Sequence, residues 1–398
     1  MTTIEIFNNI ANSIRNKLGS SNKISPNNYS NEISKIVTST TINKTSGTGS
    51  VTTKCSGLAR KTDSSQLKNP KQSMGSGTLG DYAIFAGGYQ QYGVAEYYAD
   101  IETYTASLVK GSATDLSEPR EYLAATTIGS YALFGGGLNG STNKDTVDSY
   151  NTSLTHSTPT SLSTARYDMG AAHIGNYALF GGGSTLNNTS TYATVDTYNS
   201  SLAKGTATVL SEAKRWLSAT SVGNYALFAG GYNYTYPGSY TYYATVDTYS
   251  SSLTKTTAED LSIARSNLAA TAVGNYALFG GGSNSDGYSA IVDKYDRTLT
   301  KGVATSLSEN RCRLAATTIT NYALFGGGYH STTNSIYDSI NSSAVDGYSG
   351  NLTKIDVIDL SISRYYIGSA AIGGYGIFAG GVTGSISRAT LDVYYQLS

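Results

Sequence analysis

One pattern of hydrophobic and polar positions recurs seven times along the chain. Its most regular part is Tyr-Ala-Leu-Phe, or a close variant, followed within one residue by a pair of glycines. The copies are spaced 46 to 53 residues apart and begin at Tyr82, Tyr131, Tyr177, Tyr225, Tyr276, Tyr322 and Tyr375. A fixed period of this length indicates one structural unit used repeatedly, rather than several unrelated domains.

Each copy has the pattern of four short antiparallel strands. In the third copy we predict strands at Met169 to Ile174, at Tyr177 to Phe180, at Val195 to Tyr198, and within Leu202 to Leu210. The third of these alternates apolar and polar residues with a period of two, which is typical of a half-buried strand. Four-stranded units at this period are typical of β-propeller blades, so the pattern predicts an all-β, seven-bladed β-propeller.

The repeat resembles the kelch family. A basic residue opens the first strand, the aromatic second strand ends in a glycine pair, and the third strand contains an acid-x-Tyr motif, as in Asp196-Thr197-Tyr198. The resemblance covers residues 51–398 and implies four-stranded blades around a central axis. One departure is that leucines such as Leu154 and Leu202 replace the family's usual tryptophan after the third strand.

The two ends of the repeat region indicate how a propeller would close. The last copy stops at Leu391 to Tyr394 without a fourth strand, whereas Leu58 to Leu67 matches Leu202 to Leu210. We therefore expect an N-terminal strand to complete the last blade, which would protect two sheet edges. Val51 to Lys54 also resembles a third strand, and the sequence does not identify the strand with which it pairs.

Residues 1–37 follow a helical pattern instead. Phe7, Ile10 and Ile14 recur at helical spacing, and the segment resembles a helical attachment element that precedes variable domains in tail proteins of bacteriophages and phage-like particles. Because so short a segment cannot bury its own core, we expect it to bind a particle component or another copy of itself. Residues 38–50, rich in Ser, Thr and Gly, form the predicted linker to the propeller at 51–398.

Composition excludes several classes of function. The 27 basic and 27 acidic residues balance, so no net field favours nucleic acid. The sequence contains neither a signal peptide nor an apolar run long enough for membrane insertion, which predicts synthesis in the cytoplasm. Only two cysteines occur and they lack metal-site spacing, and the three histidines fall in different predicted layers, so we expect no metal and no cofactor.

The basic residue that opens the first strand recurs in every copy and is predicted to form a ring near the central channel. Two interpretations stay open: an anion or acidic-sugar site, or architectural pairing with the acid of each repeat. The residues are Lys71, Arg120, Arg166, Lys214, Arg265, Arg311 and Arg364.

The two positions after this basic residue differ in every copy, which suits specificity better than scaffold. The pairs are Gln72-Ser73, Glu121-Tyr122, Tyr167-Asp168, Arg215-Trp216, Ser266-Asn267, Cys312-Arg313 and Tyr365-Tyr366. By topology they share one face with the loops between the second and third strands. Of the 34 tyrosines, 14 belong to the repeated strands, and 18 of the other 20 fall on this face. Tyrosine suits recognition surfaces and stacking on sugar rings, although long loops can also pack on themselves.

These observations predict a shallow ligand site with no catalytic residues. The aromatic members are Trp216, Tyr232, Tyr234, Tyr236, Tyr242, Tyr92, Tyr97, Tyr329 and Tyr366, and the polar members are Asp168, Asn267 and Arg313. The leading hypothesis is a receptor-binding, tail-fibre-like protein of a phage or phage-like particle that recognises a bacterial surface glycan or protein. A kelch-type module for a peptide partner and a glycan-active enzyme are the alternatives, although no phosphate loop or nucleophile elbow is present.

Overall fold

The described part of the protein is built from β-strands. The computed structural model describes residues 44–46, 49–53, 58–62, 65–91, 95–186, 190–235, 238–331 and 339–396, and these contain no α-helix. No helix among them is long and apolar enough to cross a membrane. The helical segment predicted for residues 1–37, with Phe7, Ile10 and Ile14, lies outside the described residues.

The first two strands of each repeat form a tight antiparallel hairpin. The first strands are Gly75–Leu79, Ala124–Ile128, Gly170–Ile174, Ser218–Val222, Ala269–Val273, Ala315–Ile319 and Gly368–Ile372. The second strands are Tyr82–Ala86, Tyr131–Gly135, Tyr177–Gly181, Tyr225–Ala229, Tyr276–Gly280, Tyr322–Gly326 and Tyr375–Ala379.

The third and fourth strands complete each sheet. The third strands are Ile101–Thr105, Val147–Asn151, Val195–Asn199, Val246–Ser250, Val292–Asp296, Val345–Ser349 and Leu391–Gln396. The fourth strands of repeats one to six are Lys110–Ala113, His156–Ser157, Lys204–Ala207, Lys255–Ala258, Lys301–Ala304 and Lys354–Asp356. Six sheets of the described residues therefore have four antiparallel strands in the order first, second, third, fourth. The four strands predicted for the third repeat are confirmed to within about one residue at most of their ends.

In the last repeat the outer strand comes from the N-terminal side of the chain. Leu58–Thr62 pairs antiparallel with Leu391–Gln396, with Arg60 opposite Tyr394. Gly49–Thr53 then adds outside Leu58–Thr62, and Lys44–Ser46 adds outside that, giving a sheet of six strands. Val51, whose partner the sequence left open, lies in this outer extension and pairs with Lys61.

Short hairpins connect the second and third strands on one side of the sheets. They pair Tyr89–Gln90 with Glu96–Tyr97, Leu138–Asn139 with Thr142–Asn143, Tyr232–Thr235 with Ser239–Tyr242, Ser283–Asn284 with Gly287–Tyr288, Tyr329–Ser331 with Ser339–Asn341, and Val382–Thr383 with Ile386–Ser387. In repeat six the two-residue strand Arg311–Cys312 also pairs with Tyr329–Ser331.

Hydrophobic clusters lie between neighbouring sheets. The Phe of each second strand packs with the Tyr of its third strand, as in Phe180 and Tyr198, whose ring centroids are 5.9 Å apart in an edge-to-face arrangement. This pair packs on Leu133 and Val147 of the preceding sheet. Phe85 and Tyr104 of the first repeat pack in the same way on Ile377 of the last. Such pairs combine a large buried apolar area with a favourable ring geometry.

Glycines allow close contact between successive repeats. Gly87 has φ 64° and Gly88 has φ 109°. The Gly88 N–H donates to the carbonyl of Arg120 at 2.9 Å, and a Cβ on Gly87 would lie 2.6 Å from that same oxygen. The corresponding bond from Gly381 to the Lys71 carbonyl, also 2.9 Å, joins the last repeat to the first. A side chain is therefore excluded at the first glycine by both conformation and space.

Candidate functional site

The basic residue that opens each first strand is buried and belongs to an ion pair. Its nitrogen lies 2.6 to 3.1 Å from a carboxylate oxygen of the third strand of the same repeat. The pairs are Lys71 with Glu102, Arg120 with Asp148, Arg166 with Asp196, Lys214 with Asp247, Arg265 with Asp293, Arg311 with Asp346, and Arg364 with Asp392. All seven basic side chains have 0% exposed surface.

The carboxylate is held on its other side as well. In repeat three, Lys204 Nζ lies 3.1 Å from Asp196 Oδ1, and the Ser163 backbone N–H donates to the same carboxylate. Burial opposes ionisation of Asp196, but the Ser163 hydroxyl and the Arg166 charge hold its pKa below the ordinary value. Pairing and burial of all seven basic side chains favour the architectural interpretation of that ring over an acidic-sugar site. In Arg166 and Arg364 a guanidinium nitrogen also donates to a backbone carbonyl of its own sheet.

The first residue of each variable pair joins the hairpins to the sheets. Glu121 forms an isolated antiparallel β-bridge with Leu138, and Arg215 forms one with Tyr232. Corresponding bridges join Gln72 to Tyr89, Tyr167 to Ser184, Ser266 to Ser283, Cys312 to Tyr329, and Tyr365 to Val382. The variable pairs and the hairpins therefore occupy the same side of the described structure.

The second residue of each variable pair belongs to a ring of backbone hydrogen bonds. Six of the seven N–H groups in this set donate to the carbonyl of the neighbouring member at 2.9 to 3.4 Å, including Ser73 to Tyr366 between the first and last repeats. All seven residues have positive φ, between 52° and 59°. The members, which we call the axial ring, are Ser73, Tyr122, Asp168, Trp216, Asn267, Arg313 and Tyr366.

Positive φ strains residues that carry a Cβ, and bulky residues more than small ones. The cost is on the order of 1 to 3 kcal/mol for each strained residue. Glycine would adopt the same φ without strain, yet none of the seven positions is glycine. The side chains of the axial ring are therefore present at an energetic cost. The leucines of the repeated turns, such as Leu154 and Leu202, have similar φ values, so this strain does not by itself identify a functional site.

Three aromatic side chains of the axial ring pack against one another. Tyr122 lies 5.6 Å from both Trp216 and Tyr366, and Trp216 stacks on Tyr366 with centroids 5.8 Å apart. The Arg313 guanidinium lies over Trp216 at 5.7 Å and over Tyr366 at 5.0 Å. Repeats two, four, six and seven thus contribute to a single cluster.

Charged groups beside this cluster are unusually buried. Arg215 forms an ion pair with Asp168, and its guanidinium also lies 5.0 Å from the centroid of the Tyr167 ring. Burial raises the pKa of Asp168 to about 6, although Arg215 opposes the shift. Burial and the charge of Asp168 raise the pKa of Glu121 to about 8, and the nearby Ser73 hydroxyl opposes the shift. At neutral pH Glu121 is therefore mostly protonated, and Asp168 is mostly ionised.

A cavity of about 180 Å³ opens within the axial ring. Its polar and aromatic lining comes from Ser73, Trp216, Asn267, Arg313 and Tyr366. Leucines and an isoleucine from the following positions form its apolar wall. An apolar cavity of about 150 Å³ accommodates benzene, so this volume suits one ring-sized group.

The hairpin of repeat four forms a second aromatic cluster. Tyr232 and Tyr242 have centroids 5.6 Å apart, and Tyr234 lies 5.0 Å from Tyr240. Tyr240 is 54% exposed. We call Tyr232, Tyr234, Tyr240 and Tyr242 the tyrosine hairpin.

Two arginines connect the axial ring to the hairpins. Arg215 lies 5.7 Å from the Tyr232 ring and 5.9 Å from the Trp216 ring. Arg313 lies 5.7 Å from the Tyr329 ring, and Tyr329 packs on Tyr365 at 4.1 Å. An aromatic and cationic surface therefore runs from the axial ring into two hairpins.

Neither a model of a known protein family nor a curated protein matches this sequence. Among the described residues, no group of three or more His, Cys, Asp or Glu side chains is placed to hold a metal ion.

The structure divides the residues that the sequence singled out. Trp216, Tyr366, Asp168, Asn267 and Arg313 belong to the axial ring, whereas Tyr232, Tyr234 and Tyr242 belong to the tyrosine hairpin. Tyr97 packs on Tyr89 in the first hairpin at 4.7 Å and lies near Glu121. Tyr92 and Tyr236 lie outside the described residues.

Two of the predicted residues have a different setting from the one expected. Trp216 packs on the rings of repeats two and seven and not only beside the hairpin of its own repeat. Asp168 is 8% exposed and paired with Arg215 through Oδ2, a partner that the sequence did not indicate. The predicted set omitted Tyr122, Glu121, Arg215 and Tyr240, although the first three stand in the variable pairs and Tyr240 among the loop tyrosines.

Proposed function

We propose that the seven sheets are the blades of a closed, kelch-like β-propeller whose last blade is completed by Leu58–Thr62. Three contacts between the first and last repeats support this proposal. They are the Gly381 to Lys71 bond, the Ser73 to Tyr366 bond, and the packing of Phe85 on Ile377. Each has a counterpart between consecutive repeats, as expected for a continuous ring.

We further propose that the protein recognises a bacterial surface glycan or protein as a receptor-binding component of a phage or phage-like particle. One observation carries the proposal: side chains vary between repeats on one side of the sheets, where aromatic and cationic groups collect. The buried acid and basic pairs, by contrast, recur in all seven repeats. A recognition surface is expected to combine variable surface side chains with constant buried residues that maintain the fold.

The chemistry of this surface favours a carbohydrate. Aromatic rings stack on the apolar faces of sugars, and rigid tyrosine and tryptophan side chains do so with little loss of entropy. The half-buried Trp216 and the exposed Tyr240 offer such faces at two separate positions. Several anchors on one molecule, and several molecules on one particle, would raise the overall affinity by avidity.

A glycan-active enzyme is a second candidate, because Glu121 and Asp168 are buried carboxyls with separated pKa values. Such a pair is typical of acid and base roles. However, Asp168 is already engaged by Arg215, and neither carboxyl lines the cavity of the axial ring. Binding without turnover is therefore the better-supported function. Release of reducing sugar from a bound polysaccharide would show that the protein is a glycan-active enzyme.

Residues 1–37 carry the proposed attachment to the particle. Release by lysis would account for a receptor-binding protein made in the cytoplasm. Replacing Phe7, Ile10 and Ile14 by Ser should remove the protein from particles or from its oligomer and leave the β-sheet domain folded. A variant that still assembles would contradict the attachment role.

The test of recognition is binding of the labelled full-length protein to a panel of bacterial strains, measured by flow cytometry. We expect strain-selective binding that purified surface polysaccharide of a bound strain competes away. Loss of binding after protease treatment of the cells, with no inhibition by added polysaccharide, would indicate a protein receptor. Binding to no strain, with capture of a defined cytoplasmic peptide instead, would favour the kelch-type interaction module.

A further inference from the structure

Arg313 differs from Arg215, the other arginine of the variable pairs, in forming no ion pair with a carboxylate of the described residues. Arg215 is paired with Asp168, whereas within the described residues no carboxylate lies at ion-pair distance from Arg313, and the Arg313 Nε has no hydrogen-bond partner. Asp168 interacts with Arg313 electrostatically at longer range. The side chain is half-buried and lies over three aromatic rings, those of Trp216, Tyr329 and Tyr366. The three rings stabilise the cation in part, and an anionic ligand would supply the counter-charge that it lacks.

The charge balance around the axial ring is positive at neutral pH. Arg215 and Asp168 cancel each other, and burial raises the pKa of Glu121 to about 8, so that carboxyl is mostly neutral. Arg313 therefore contributes one uncompensated positive charge at the cavity of about 180 Å³. Walls of low dielectric strengthen its attraction for an anion.

We propose that this cavity binds the carboxylate of an acidic sugar, with Arg313 as its charge partner. The sugar ring would stack on Trp216, and the Ser73 hydroxyl at the cavity wall would contact a ring hydroxyl. A guanidinium matches the two oxygens of a carboxylate in geometry as well as in charge. This inference rests on the proposed recognition of a glycan and specifies its class: a polysaccharide carrying uronic or similar acidic units.

The cavity has its own spectroscopic reporter, because Trp216 is the only tryptophan of the chain. The full-length protein is titrated with sodium glucuronate and, separately, with glucose at the same sodium concentration. We expect a saturable change in tryptophan fluorescence with glucuronate and none with glucose. Arg313→Gln should weaken the glucuronate response at least tenfold, and Arg313→Lys should weaken it less. An equal response to both sugars, or an unchanged response in Arg313→Gln, would overturn the inference.

Two further measurements separate this inference from the function on which it rests. Arg297→Gln removes one positive charge from an exposed turn on the opposite side of the sheets and should leave the response unchanged. A glutamate-rich hexapeptide is the third ligand, and a response to it alone would overturn the inference in favour of a peptide ligand. Polysaccharide binding that persists in Arg313→Gln but is lost when the tyrosine hairpin is altered would support glycan recognition. The same result would refute the acidic-sugar site at Arg313.

Discussion

Arg60 Nε lies 3.8 Å from Asp392 Oδ1, although more than three hundred residues separate the two in sequence. In repeats one to six the corresponding position holds the basic residue that begins the fourth strand, as Lys204 does beside Asp196. Arg60 also stands opposite Tyr394 in the same register as Lys204 opposite Tyr198. The N-terminal strand therefore reproduces the side-chain chemistry of a fourth strand as well as its backbone pairing.

This relationship predicts which N-terminal deletions the fold tolerates. Removing residues 1–40 should leave a cooperatively folded protein, whereas removing 1–67 should prevent stable folding by exposing the Leu391–Gln396 edge. Leu58 is 1% exposed and packs with Phe378 and Tyr394, so Leu58→Ala should cost about 2 to 5 kcal/mol. Urea unfolding followed by circular dichroism measures all three. A well-folded chain lacking residues 1–67 would refute closure through this strand.

The repeated ion pairs should be essential to stability, since each lies in a buried setting. Asp196→Asn would leave Arg166 buried without its counter-charge and should cost about 3 to 5 kcal/mol. The matched control is Glu259→Gln, where an acid that is 73% exposed pairs with Lys301 at 3.6 Å. Removing that surface pair should change the free energy of unfolding by less than about 1 kcal/mol. Equal effects of the two substitutions would mean that the buried pairs are not structural.

The strands and the ion pairs could be predicted because the sequence presents them seven times. Each strand of the third repeat could be located from its residue pattern, and the repeat acid stands at a constant place. The axial ring could not be derived in this way. Positive φ at Trp216 or Tyr366 runs against local preference, and only the assembled repeats bring such distant residues together. Variability between repeats identified the positions that form the axial ring, but not the partner of each side chain.

Glu121 gives the protein a predicted pH dependence. Its folded pKa is raised from 4.5 to about 8 by burial first and then by Asp168, while Ser73 opposes the shift and Tyr97 and Tyr122 lie nearby. Between these values the unfolded chain has lost the proton that the folded chain keeps, so stability falls as pH rises from about 4.5 to 8. Above pH 8 the loss is complete and stays constant.

Glu121→Gln removes this loss and should stabilise the protein increasingly across the same window. The gain at pH 8.5 should be on the order of 3 kcal/mol, given about 1.4 kcal/mol per pKa unit and some relaxation of the site. Asp168 is present in both proteins, so its own raised pKa contributes a similar slope to each. Thermal melts at pH 5 and pH 8.5 measure the difference. An equal difference at both pH values would show that Glu121 titrates normally.

The last prediction concerns the tyrosine hairpin as a contact surface for the receptor. Tyr240 is exposed and packs on Tyr234, so the two rings form a single outer platform that no repeated strand requires. Tyr234→Ala and Tyr240→Ala should each reduce binding to susceptible cells by about 1 to 2 kcal/mol, as expected for aromatic anchors of an interface. Because the two rings contact each other, the double variant should lose less than the sum of the single losses.

The matched control is Tyr276→Ala, a half-buried tyrosine of a repeated second strand that stands at the opposite end of the sheet. It should lower the melting temperature more than the hairpin variants do, yet leave cell binding unchanged below the transition. Trp216→Phe separates the two aromatic groups, since it alters the axial ring and keeps the hairpin intact. If the hairpin double variant binds cells as the wild type does while Trp216→Phe does not, recognition resides in the axial ring alone.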